Sequence, residues 1–254
     1  MKKNLMKALL AIPVTLVHHI MELHNYQATH APVAELFMEH LFSGSPSRTT
    51  DDIVMNVIGL FEILIFNLIF GTFLYHDLNT NGIYAIARQK GRHTWYFRKV
   101  AELFLYTVIW VSGYLTSVLL LSSYTTSLSI DSVAVTMFVT TLIILTFFAF
   151  VITLLINLCA IRFGSNFGFV IVYLALILLT GLAIINEKIP FLKNLPLLLK
   201  LNPMANAVVN WDLSGSKTLF ACIYFFAFSL LAVLIGLRYI AKMDIGIQDR
   251  ENSQ

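Results

Sequence analysis

Apolar residues run along this chain in long blocks, and polar residues collect in short clusters between them. The blocks are too continuous for barrel strands, which alternate lipid-facing and lumen-facing positions. An α-helix needs about 20 mostly apolar residues to cross the hydrocarbon of a bilayer. Six blocks qualify, at residues 5–23, 53–75, 100–122, 133–161, 167–185 and 219–240. Backbone groups in lipid must be satisfied within their own segment, so these blocks are predicted to be helices. The first is the most diluted, by Pro13, His18, His19 and Glu22. No small-residue cleavage site follows it, so it is expected to be a retained helix rather than a signal peptide.

Three segments between the blocks exceed simple turns. Residues 24–52 include a stretch with Leu36, Phe37 and Phe42 among Glu35, Glu39 and His40, the pattern of a short surface helix. Residues 76–99 are basic and aromatic. Residues 186–218 are too apolar for an ordinary loop, and Pro190, Pro196 and Pro203 divide them. They are predicted to form short helices dipping back into the membrane face.

Basic residues set the orientation. With the N-terminus in the cytoplasm, twelve of the 17 lysines and arginines fall on the inner side: Lys2, Lys3, Lys7, Arg88, Lys90, Arg92, Arg98, Lys99, Arg162, Arg238, Lys242 and Arg250. Arg48, Lys188, Lys193, Lys200 and Lys217 fall outside. Cytoplasmic loops carry the excess of Lys and Arg, so both termini are expected on the cytoplasmic side of the membrane. The chain then reads as one all-α transmembrane domain over residues 1–254.

Composition agrees. Hydrophobic residues make up 58% and charged residues 12%, with a mean hydropathy of +0.78. A soluble domain could not clothe its surface with so few charges. The net charge of +3 forms no basic stripe of the kind nucleic acid requires. Cys159 and Cys222 both lie in apolar blocks and read as packing residues.

Catalytic patterns are missing from the sequence. Trp211 and Ser216 occupy the positions where a phosphate loop ending at Lys217-Thr218 requires glycine. No HExxH or GxSxG run occurs. His18, His19, His24, His30 and His40 cluster with Glu22, Glu35 and Glu39, but their spacing matches no metal site. They read as a polar helix end and a solvated loop. No catalytic residue, metal or cofactor is expected in this chain. Polar groups inside spans are costly and face protein or water. Glu62 is the clearest, either a pore-facing or a packing carboxylate. Asn67 and Asn157 are expected to hydrogen-bond between helices.

The run Tyr84-x3-Arg88-x3-Arg92-x2-Trp95-x3-Lys99 before the third block, with Asn202-Pro203-Met204 before the last, resembles the ABC-2 type permeases of small bacterial ABC exporters. The resemblance implies a six-helix, type V exporter-like bundle with a cytoplasmic coupling helix in residues 76–99. It implies that Tyr84, Arg88, Lys90, Arg92, Trp95 and Lys99 couple to an ATPase subunit, that Phe61, Glu62 and Phe66 belong to a translocation surface, and that Phe191, Leu192, Pro203 and Met204 form an outer gate. It further implies a second permease copy or sister permease, and ATP and Mg held by the partner. The exported substrate would be amphipathic: a peptide, a lipid-like molecule or a drug. The family's longer N-terminal amphipathic helix is missing, and the His-rich segment has no counterpart. Two other readings stay open: a stand-alone membrane binding or immunity protein, and an intramembrane enzyme.

Overall fold

The computed structural model describes residues 2–26, 43–44, 50–88, 91–125, 132–188, 201–207, 209–210 and 215–243. The elements in chain order are α1 (Lys2–Tyr26), β1 (Ser43–Gly44), α2 (Thr50–Phe70), α3 (Phe73–Arg88), α4 (Arg92–Thr125), α5 (Ser132–Phe163), α6 (Ser165–Lys188), α7 (Pro203–Ala207), β2 (Val209–Asn210) and α8 (Gly215–Lys242). Five helical stretches among the described residues are long and apolar enough to cross a membrane: Leu60–Thr80, Arg92–Leu121, Phe138–Phe163, Ser165–Leu182 and Leu219–Lys242. In α1 the described apolar stretch, Asn4–Leu16, is shorter than a span. The chain is therefore an all-α, multi-pass membrane protein.

The helices pack around α5. Two-thirds of its apolar window is buried (67%), against 22% for α6 and 28% for α8. The peripheral helices turn apolar stripes outward. On α6 these are Phe167, Val170, Leu174, Ile177 and Leu178; on α8 they are Leu219, Ile223, Phe226, Leu230 and Leu234. The i, i+3, i+4 spacing puts each set on one helix face. Exposed apolar area this extensive belongs against lipid, not water. α6 packs along α5, α1 along α4, and α8 along α5 and α4. Away from the helices, β1 and β2 form a two-residue parallel pair, Ser43 with Val209 and Gly44 with Asn210.

Three details differ from the hydropathy pattern. α4 begins at Arg92, eight residues before the apolar block, because Trp95 and Tyr96 are buried and extend the packed face past Arg98 and Lys99. The second block is two helices, interrupted at Gly71–Thr72. Among the described residues of 76–99 there is no separate short helix: 76–88 are the end of α3, and Gly91 leads into the start of α4.

At Gly168 the backbone of α6 comes close to the backbone of α5. A Cβ at Gly168 would lie 2.8 Å from the backbone nitrogen of Ala160 and 2.8 Å from the carbonyl oxygen of Ile156. Backbone cannot step aside as a flexible side chain can, so Gly168→Ala must pry the pair apart. We predict that it lowers unfolding stability in detergent by about 1–3 kcal/mol. Gly181→Ala, with nothing within 4 Å of the added methyl, should leave the unfolding midpoint unchanged or slightly raised.

Candidate functional site

The basic end of the bundle is built from the α3–α4 hairpin and the end of α8. Trp95 is fully buried, and its indole N–H donates to Asp77 Oδ2 at 2.9 Å. Lys99 Nζ lies 3.3 Å from Asp77 Oδ1 and 3.4 Å from Glu102 Oε2, with the Phe73 ring beneath it at 5.2 Å. One carboxylate of α3 thus holds two groups of α4, one by charge and one by a hydrogen bond. Arg92 Nη1 donates to the carbonyls of Met243 at 2.6 Å and Ala241 at 3.3 Å. A guanidinium there satisfies carbonyls that the end of a helix leaves open. Tyr96 is also buried, and its hydroxyl donates to the Val233 carbonyl of α8 at 3.1 Å. The first turn of α4 is therefore fastened on one side to α3 and on the other to α8. Its remaining side chains, His93, Thr94, Phe97 and Arg98, are exposed, with Phe97 49% exposed.

Of the residues expected to couple to a partner, Arg92, Trp95 and Lys99 come together here, and all three are engaged within the chain. Trp95 and Tyr96 are buried inside the bundle rather than presented on its surface. Tyr84 and Arg88 belong to the last turns of α3. Lys90, Phe191 and Leu192 lie outside the described residues, as do His30 and His40. The sequence reading missed Asp77, whose signal was an acidic residue where an apolar block meets a basic segment.

Further into the bundle, α3 ends its packed path at the interruption of the second block. An unbroken helix would bond the Leu74 N–H to the Phe70 carbonyl, four residues back. Here the Asn157 carboxamide of α5 sits between them. Its Oδ1 accepts from Leu74 N at 2.7 Å, and its Nδ2 donates to Phe70 O at 2.9 Å. One side chain satisfies two of the backbone groups at the interruption. Gly71 marks the spot because a Cβ there would fall 2.5 Å from the Asn67 carbonyl and 2.7 Å from the Phe169 ring. One turn earlier, Asn67 donates to the Tyr173 hydroxyl of α6 at 2.9 Å, and its Oδ1 accepts from Thr153 of α5 at 2.6 Å. Both asparagines join helices, as their placement in apolar spans predicted.

The candidate translocation residues divide. Glu62 is buried and accepts from the Tyr114 hydroxyl at 2.6 Å. Phe66 shares its face, is fully buried and stacks on Trp110 at 4.7 Å. Phe61 is 54% exposed on another face. Positions i and i+4 share a face and adjacent positions do not, so these three form no single surface. Phe66, Phe70, Tyr106 and Trp110 together make a packed aromatic column between α2 and α4. At the other end, Asn202 caps α7 by accepting from Met204 N at 2.9 Å, and it donates to the Leu179 carbonyl of α6 at 2.7 Å. Pro203 at the first helical position suits that start. Pro203 and Met204 are buried, with α7 packed on α5, α6 and α8.

Among the described residues no group of His, Cys, Asp and Glu could hold a metal. Asn157→Ala should strand the Phe70 carbonyl and the Leu74 N–H away from water, lowering unfolding stability by about 1–3 kcal/mol. Thr180→Val, which removes only a hydroxyl bonded back to the Leu176 carbonyl of its own helix, should leave the unfolding midpoint close to the parent's. No family model, no curated protein and no solved structure matches this chain, so its function is argued from its own residues.

Proposed function

We propose that this chain is the membrane permease subunit of an ATP-driven exporter, with ATP hydrolysed on a separate subunit that meets the basic end of the bundle. The observation carrying this reading is the double fastening of the α4 first turn. A push on exposed Phe97 and Arg98 is delivered to α3 through Asp77, and to α8 through Arg92 and Tyr96. From α3 it reaches the interruption at Gly71–Thr72, where the second span is already divided into two rods. Packed helices move as units, so this linkage suits rearrangement of spans rather than local yielding. The excess of basic residues at this end suits a cytoplasmic face, where an ATPase would be found. In this reading a second copy or a sister chain completes the pathway, and the substrate is amphipathic.

Purification of the tagged full-length chain from its host in mild detergent tests the proposal. A stoichiometric ATPase should copurify and hydrolyse ATP. The double substitution Phe97→Ala and Arg98→Ala should release it while leaving the melting curve of the permease unchanged. Trp95→Phe, which removes the indole donor to Asp77 and leaves a small cavity at this buried site, should keep the ATPase bound and weaken substrate stimulation of hydrolysis. A pure preparation without ATPase or hydrolysis would sink the exporter reading and leave a stand-alone membrane function.

A further inference from the structure

A cavity of about 790 Å3 opens between α1 and the α2–α3 pair. Its walls are sorted by polarity. On α1, Asn4 and Lys7 line one end, and Leu10, Ala11 and Val14 the other. On the facing helices, Ile65 and Leu68 lie toward the apolar end, and His76, Asp77 and Thr80 toward the polar end. α1 runs away from the basic end and α2–α3 runs toward it, so two antiparallel walls carry the same gradient from opposite chain directions. From Lys7 to Val14 the apolar wall is about 10 Å deep, at 1.5 Å per residue. The wall residues Leu10, Val14 and Leu68 are more than half exposed, which leaves the cavity open sideways to lipid.

Charge fixes the kind of occupant. Asp77 does not offer the cavity a free carboxylate, because its two oxygens are taken by Lys99 and Trp95. Lys7 and His76 are exposed at the polar end, and no described residue forms an ion pair with Lys7. A cation at the mouth of an apolar slot, at the level of the bundle's basic end, matches an anionic head on an acyl chain.

We propose that this cleft is a binding site for an anionic phospholipid of the surrounding bilayer, its phosphate at Lys7 and His76 and one acyl chain along Leu10, Val14 and Leu68. The site does not depend on the exporter reading, and its test needs neither ATP nor a partner. The full-length chain in detergent is mixed with phosphatidylglycerol or phosphatidylcholine of identical acyl chains, and bound lipid is counted by native mass spectrometry. The parent chain should retain phosphatidylglycerol in preference. Lys7→Glu should weaken its binding about tenfold, the scale of one charge-assisted hydrogen bond. Lys7→Arg should keep the preference. Leu68→Trp, which fills the apolar wall, should weaken both lipids alike. Glycerol phosphate, a head with no chain, should not compete. Equal retention of the two lipids by the parent, or an unchanged preference in Lys7→Glu, would overturn the proposal; so would competition by glycerol phosphate, which would point to a plain anion site.

Discussion

In hydrocarbon, a backbone amide that loses its partner has no water to turn to. That constraint governs this protein at one place above all, the interruption of its second span. Gly71 and Thr72 leave the helical path, and the Phe70 carbonyl and Leu74 N–H would be stranded. Asn157 supplies an acceptor and a donor from a single planar group and closes both gaps. A side chain inserted into the i to i−4 ladder is one of the few ways a helix bends without a proline. Asn157 also bonds back to the Thr153 carbonyl of its own helix at 2.8 Å, so the inserted group is itself held in place. The interruption is thereby fixed to α5, the most buried helix.

The same economy appears at the basic end. Charges near a membrane face cost least when paired or drawn to the interface. Lys99 is only 16% exposed on its side chain and lies between Asp77 and Glu102. The pair of Arg98 with Glu102 is more exposed, the arginine side chain at 64%, and exposed pairs contribute little to stability. The importance of Asp77 is positional: it registers α3 against α4 within two turns of the interruption.

Much of the fold was legible in the sequence, because helix length and apolar content report directly on a bilayer's thickness. The spans that became α5, α6 and α8 begin and end within a few residues of their apolar blocks. Hydropathy failed where burial is by packing rather than by lipid. The start of α4 looked like a loop because Arg98 and Lys99 break its apolar run, yet Trp95 and Tyr96 face the core. The interruption at Gly71 left only faint marks, a glycine and a threonine in one span and an asparagine in another. Their meeting depends on the register of α5 against α2, which no local pattern reports. Of the candidate site, Glu62 was visible as a lone carboxylate, but its partner Tyr114 was one aromatic among many.

The two described tryptophans sit in unlike surroundings. Both are fully buried. The Trp95 indole N–H is bound to a carboxylate, whereas the Trp110 nitrogen has no hydrogen-bond partner among the described residues and its ring stacks with Phe66 and Tyr114. An indole's emission follows the polarity and hydrogen bonding around it. Two of the chain's three tryptophans are therefore built-in optical reporters, one on the hairpin fastening and one on the aromatic column, and with Trp211 replaced they can disclose which of the two yields without any label being attached.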